Sequence, residues 1–363
     1  MSYKYLDWHR LYDLSVEIFR RYGYKEQDCQ TIADVILMSD RFGIESHGVQ
    51  RLIMYTTGIR LGRIDREAEP EVVFDTPVSA VVDGHQAFGQ TVGRFAMELA
   101  MQKAKTSGVG MVTVRNSNHY GIAGYYADMA AKEGMIGISM TNTEALVVPT
   151  FGKQPMLGTN PIAVSIPAEP HPFHMDESTS VIPAGKFEVY SKLGKPLPAG
   201  CLIDAEGRAS QDASEFIRIR AAKSDGGIFP LGGEGETTGG HKGYGLSLLV
   251  EIFCGILSGG RTSNYIRVKP DSDCTSHFFM AIDHGVFGDK ARIEAQLTDY
   301  LNELRGARLA DGQDRIYTHG DKAYESLEKT EKEGVKVNPK TYQEILSICA
   351  ELDIDPVPYL IEK

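Results

Sequence analysis

A chain of 363 residues has room for a full hydrophobic core or for two to three modest domains. Hydrophobic residues make up 42% and charged residues 24%, the makeup of an ordinary folded protein, which argues against disorder. The 38 basic residues against 49 acidic ones leave a net charge of −11, the wrong sign for a surface that binds by neutralising phosphates, so nucleic acid is not expected as a partner.

In chain order, the segment from Met1 to Asp7 lacks the apolar core of a secretion signal. Leu11, Leu14, Ile18 and Phe19 then fall on one helical stripe and Ile32, Val35 and Ile36 on a second. A third helix is predicted to start near Ser46, with Ser46 as its N-cap. Val72 to Phe74 and Ala80 to Val82 read as a hairpin around Asp75-Thr76-Pro77. An amphipathic helix over 91–105, a strand over 110–114, an Ala-rich helix over 123–131 and a strand over 136–140 alternate as in an α/β sheet. From Leu146 to Gly240 the chain is rich in Gly and Pro, which predicts irregular structure lining a cleft, with a strand over 162–166 and a helix over 186–195. Helices over 244–257, 291–304, 321–332 and 339–351 and a strand over 277–282 complete the pattern. The most apolar stretch, 245–258, is interrupted by Glu251 and too short to span a bilayer, so no membrane partner is expected. Five cysteines without Cys-x-x-Cys spacing suit a reducing cytoplasm.

Three segments carry chemistry. On a helix begun at Ser46, His47, Arg51 and Tyr55 would share one face at i, i+4 and i+8. A guanidinium fork, a titrating imidazole and a phenol suit an anionic substrate that exchanges a proton, although the same spacing suits a solvated face. His119, in Asn116-Ser117-Asn118-His119-Tyr120-Gly121, follows a strand at the end where open sheets bind ligands; its alternative is a structural histidine bonded to a loop. Gly239-Gly240-His241-Lys242-Gly243 feeds a helix and could expose N–H groups to phosphate, yet fits neither the P-loop nor the Gly-x-Gly-x-x-Gly pattern; its alternative is a flexible surface loop. His171 and His174 lack spaced carboxylate or Cys partners, so no metal is expected.

Together these segments resemble the malate/L-lactate dehydrogenase family that is distinct from Rossmann-type enzymes and includes ureidoglycolate, sulfolactate and 2,3-diketogulonate oxidoreductases. The resemblance rests on 43–51 (Gly-Ile-Glu-Ser-His-Gly-Val-Gln-Arg), 116–121, Gly158-Thr159-Asn160-Pro161, Ser178-Thr179-Ser180, 239–245 and His277-Phe278-Phe279, in order from about residue 10 to residue 350. It implies an α/β sulfolactate-dehydrogenase-like fold with a mixed sheet, helical N- and C-terminal parts and an inserted cofactor domain. The corresponding boundaries are 1–70 with 305–363 (helical), 71–120 with 242–304 (central sheet) and 121–241 (inserted). It further implies a homodimer that interconverts a small 2-hydroxy acid and its 2-oxo acid with NAD, or NADP, malate standing first among the substrates and lactate, ureidoglycolate and sulfolactate behind it.

By position in the family, His119 is expected to move the proton, with His47 the other candidate. Arg51 and Tyr55 are expected to hold the carboxylate, with Ser46, Thr159 and Asn160 near the substrate. Thr143, Asp176, Ser178, Thr179, His241, Lys242, Gly320, Asp321 and Lys322 are expected at the cofactor. Glu177 beside Asp176, and Ala184 where the family often has Arg, lean toward NAD, because a carboxylate at the ribose repels a 2′-phosphate. A Ser46/His47 hydrolase is disfavoured, since adjacent helical residues diverge by about 100° and no Gly-x-Ser-x-Gly elbow is present. A nucleotide-binding protein without catalysis would give no reason for Arg51 beside a histidine.

Overall fold

The apolar stripe beginning at Leu11 needs a start signal, and Asp7 supplies it by accepting the N–H groups of His9 and Arg10. In the computed structural model, which describes residues 3–267 and 274–363, the chain begins with β1 (Lys4–Leu6), α1 (Trp8–Arg21), α2 (Glu26–Arg41) and α3 (Leu52–Arg60). There follow β2 (Glu71–Asp75), β3 (Ser79–Asp83), α4 (Gly89–Ser107), β4 (Val109–Ser117), α5 (Ala123–Lys132), β5 (Ile136–Thr141), β6 (Ile162–Ile166) and β7 (Phe173–Glu177). The middle continues with α6 (Ala184–Leu193), β8 (Leu202–Ile203), β9 (Ala209–Ser210), α7 (Ala213–Ala222), β10 (Gly227–Ile228) and α8 (Gly240–Glu251). The last elements are β11 (Thr275–Ile282), α9 (Lys290–Arg305), α10 (Asp321–Glu333), β12 (Val335–Val337) and α11 (Pro339–Glu351).

Seven strands form one mixed sheet in the order β2-β3-β4-β11-β5-β6-β7, in which only β3 and β4 run parallel. Successive residues of β11 serve opposite faces: Phe279 and Ala281 join the core under α4 and α5, while Phe278 packs with Val250 and Cys254. The N-terminal helices form a second core with Val335, Val337, Ile345 and Ile348, and β1 pairs with β12.

The Gly- and Pro-rich middle differs from its expected irregularity. Leu157, Phe187, Leu202, Phe216 and Ile228 form a core of their own, and a helix, α7, stands where none is expected. β5, β6 and β7 belong to the central sheet, and the separate core joins Leu146, Val147 and Leu157, from the loop between β5 and β6, to residues 187–228.

The expected helix at Ser46 is also different. Glu45–His47 and Val49–Arg51 form two 3-10 turns, and α-helix begins only at Leu52. The buried Asp40 carboxyl group accepts the Val49 N–H at 2.8 Å and diverts the chain. At Gly48 a Cβ would lie 1.9 Å from Asp40 Oδ1, so only glycine fits. Burial raises Asp40 to a pKa of about 8. Glu251, the acid that interrupts the apolar run, is a buried hub: Oε1 accepts Asn160 Nδ2 at 2.8 Å, and Oε2 accepts the Ser263 N–H at 3.1 Å and Asn142 Nδ2 at 3.3 Å. It ties α8 to the loops that precede β6 and follow β5.

Candidate active site

Those two 3-10 turns and the loop after β4 deliver three side chains to one cleft of about 260 Å³: His47, Arg51 and His119. His47 Nδ1 lies 2.9 Å from the Ser46 hydroxyl, and His119 Nδ1 lies 2.9 Å from the Tyr55 hydroxyl. The two imidazoles are nearly parallel, 5.5 Å between centroids. Burial, followed by the charge of Arg51, brings His47 down to a pKa of about 3. Burial also holds His119 well below its ordinary value, with smaller contributions from His47 and Arg51. Both rings are therefore neutral at pH 7, the form that accepts a proton.

Arg51 is oriented by its Nε, which donates to the Ser46 carbonyl; Nη1 and Nη2 have no partner among the described residues. That leaves a guanidinium edge for a carboxylate. Tyr55 does not join it. Because the segment is 3-10 before it is α-helical, the predicted common face is lost, and the buried phenol stands behind His119 rather than in the cleft wall.

The opposite wall is built from Thr143, Thr159, Asp176 and Ser178, all lining the cleft. Thr143 Oγ1 accepts the Thr159 N–H at 3.1 Å. Asn160 and Thr179 brace this wall from behind: Asn160 is fully buried against Glu251, and the Thr179 hydroxyl donates to the Asn160 carbonyl at 3.0 Å. Asp176 accepts the Gly124 N–H at the start of α5 at 2.7 Å, and burial raises it to a pKa of about 6. Glu177 points to the opposite face of β7, as strand geometry requires, with Oε1 3.1 Å from His319 Nε2. The pair of carboxylates expected at one place is thus split, and of the two only Asp176 faces the cleft, which Ala184 also lines.

Besides Thr179, five expected cofactor residues lie outside the cleft wall. His241 and Lys242 are exposed in the first turn of α8. The glycines before them serve close packing: a Cβ at Gly240 would meet the Gly233 carbonyl at 2.0 Å. Asp321 is buried and engaged by Arg305 Nη2 at 2.8 Å and His171 Nε2 at 3.0 Å. Gly320 packs against the Pro172 carbonyl, and Lys322 lies 4.7 Å over the Tyr317 ring.

Sequence reasoning missed Glu144, Glu188, Arg220, Arg267 and Thr275, which line the same cleft. The four charged ones come from α6, α7 and two loops far apart in the chain, so no local spacing marks them. Thr275 Oγ1 is buried with no hydrogen-bond partner among the described residues. With the apolar Ile122, Leu146 and Pro161 nearby, it suits a flat ring that carries an amide, as nicotinamide does.

The sequence model of malate/L-lactate dehydrogenase matches residues 6–346. The chain belongs to the malate/L-lactate dehydrogenase family. Within that family it is 43% identical over 345 residues to a malate dehydrogenase of Pyrococcus abyssi, covering 95% of this chain and 94% of that protein. It is 34% identical to an L-sulfolactate dehydrogenase of Methanocaldococcus jannaschii, covering 96% and 97%. Among solved structures, malate dehydrogenase from Entamoeba histolytica superposes with a TM-score of 0.94 at 35% identity, covering 97% of this chain and 99% of that one. The mixed α/β architecture expected from the motifs is the family's. Membership makes the chain an oxidoreductase, a dehydrogenase of 2-hydroxy acids that works with a nicotinamide cofactor.

Proposed function

We propose that this dehydrogenase interconverts malate and oxaloacetate, preferring NAD to NADP, and that His119 moves the proton. The observation that carries the chemistry is the Arg51 edge beside two neutral imidazoles. Arg51 Nη1 and Nη2 grip the carboxylate next to the reacting carbon. Once that carboxylate offsets the Arg51 charge, proton affinity rises at both rings. His119, whose Nδ1 is held by Tyr55, has Nε2 left for the substrate hydroxyl and takes its proton on oxidation. A nicotinamide held by Thr143, Ser178 and Thr275 would supply the hydride acceptor for the same carbon. In reduction the imidazolium returns the proton to the carbonyl oxygen. His47, fixed by Ser46, orients the substrate beside Arg51.

For the cofactor, Thr143, Asp176, Ser178 and Thr275 are the residues that would hold the nicotinamide and its ribose. NADP differs from NAD by a 2′-phosphate on the adenosine ribose, and the support for NAD is Glu177, whose carboxylate lies outside the cleft beside His319, where the cofactor would extend and where it would repel that phosphate. His241 and Lys242, at the exposed start of a helix, and Gly320 to Lys322, beside β7, would contribute only where the cofactor extends beyond the cleft.

A homodimer is supported by the outer face of α8 and the turn after it, where Leu246, Leu249, Ile252 and Ile256 are exposed. A cytoplasmic setting is supported by Cys29, Cys201, Cys254 and Cys349, which are buried thiols. Among the described residues no helix is long and apolar enough to cross a membrane.

The test is a panel of 2-oxo acids with NADH and NADPH, followed by the absorbance of the reduced cofactor. Oxaloacetate is expected to give the highest kcat/KM, and NADH to exceed NADPH by at least about tenfold, equivalent to about 1.4 kcal/mol. Turnover of none of these acids with either cofactor refutes the reading.

A further inference from the structure

The cleft charges are paired unevenly. Arg51 has its terminal nitrogens available, whereas Arg220 and Arg267 both reach the same oxygen, Glu144 Oε1. Arg267 Nη1 is 3.4 Å from it, and the Arg220 contact is closer. Arg220 Nη1 also lies 3.6 Å from Glu188. Arg51, Arg220 and Arg267 line the same cleft, so both cationic poles belong to one site. Beyond the Arg220–Glu144–Arg267 cluster lies a second cavity of about 550 Å³ that the same three residues also line. Glu144 is therefore part of a partition with open space on either side.

A substrate with one negative charge is satisfied by Arg51 alone. A second anionic group in the same cleft needs a cation of its own, since an unpaired charge in such a place is costly. We propose that Arg220 and Arg267 form the subsite for that second group, and that Glu144 is the internal counter-ion it displaces or shares. The ligand class is a four-carbon 2-oxo dicarboxylate, preferred over three-carbon pyruvate. This inference rests on the functional reading above, with Arg51 taking the first carboxylate. Glu144 then acts as a selector. It neutralises the two arginines when no dicarboxylate is bound, and it can move toward the second cavity when one arrives.

The experiment measures kcat/KM for oxaloacetate and for pyruvate in the full-length protein and in Arg220→Gln, Arg267→Gln and Glu144→Gln, with thermal melts to confirm folding. Each arginine variant should lower the oxaloacetate-to-pyruvate ratio about ten- to a hundredfold, the loss expected for one charge-assisted contact. Glu144→Gln removes the competing carboxylate and should raise the ratio, an effect of opposite sign that misfolding does not imitate. Ratios within twofold of the unmodified protein in the arginine variants overturn the subsite while leaving the functional reading in place. Failure of the unmodified protein to reduce either acid overturns both.

Discussion

Tyr55→Phe removes one oxygen from the site and nothing else of comparable size. That oxygen lies 2.9 Å from His119 Nδ1, and the phenol is buried, so no water takes its place without rearrangement. When His119 carries the proton, its Nδ1–H needs an acceptor, and the Tyr55 hydroxyl is the side-chain group beside it. An unsatisfied buried donor costs about 1–3 kcal/mol. The loss falls mainly on the imidazolium, the form that exists only after proton transfer, so it appears in kcat as a fall of about ten- to a hundredfold. It also moves the ionisation of His119 to lower pH, because the charged ring is the one destabilised. The KM for malate should change less, since the carboxylate is held by Arg51. The assay is initial-rate oxidation of malate across pH 5 to 9, with a thermal melt to show that the fold loses no more than about one buried hydrogen bond. A kcat within twofold of the unmodified protein, with the pH profile in place, refutes the proposal that Tyr55 serves His119.

Arg51→Lys keeps the charge but loses the two-pronged edge, so kcat/KM for the 2-oxo acid should fall at least about tenfold while NADH affinity, by fluorescence titration, stays within a few-fold. Asp40, held protonated by burial to about pH 8, binds a proton in the folded state that the unfolded chain releases near pH 4. Its contribution to stability is therefore lost as pH rises between those values, at up to about 1.4 kcal/mol per pH unit. Asp40→Asn keeps the acceptor for the Val49 N–H and removes that titration. Denaturant unfolding should show the variant gaining on the unmodified protein from pH 5 to pH 8, and a constant difference counts against the assignment. In the proposed homodimer, Ile252→Glu, on the exposed apolar face of α8 and its following turn, should halve the mass measured by light scattering; an unchanged mass counts against that interface.

Periodicity in the sequence suffices for α1, α4 and α11, because each buries one stripe against a core. It does not suffice for β7, whose Phe173-His174-Met175-Asp176-Glu177 ends in two acids, nor for the two- and three-residue strands, which depend on their partners. The segment after Ser46 shows the limit most clearly. Its residue types name the chemistry, but the turn that aims Arg51 into the cleft is set by Asp40, a different element. His47, Arg51 and His119 were legible as motifs. Glu144, Arg220 and Arg267 were not, since they meet only through tertiary packing of the middle segment. Glu251 did carry a visible signal, a single acid inside an apolar helix, and such an acid asks for buried donors.

The central claim, that His119 transfers the proton while His47 orients the substrate, is tested most directly by kcat profiles against pH for His119→Asn and His47→Asn. A positioned acid–base group contributes about 10²- to 10⁴-fold, so His119→Asn should lower kcat by that order and remove the ionisation of this group from the profile of the substrate complex. His47→Asn should raise KM more than it lowers kcat and keep that ionisation. If the ionisation survives in His119→Asn and disappears in His47→Asn, the roles assigned to the two histidines are reversed and the account is contradicted.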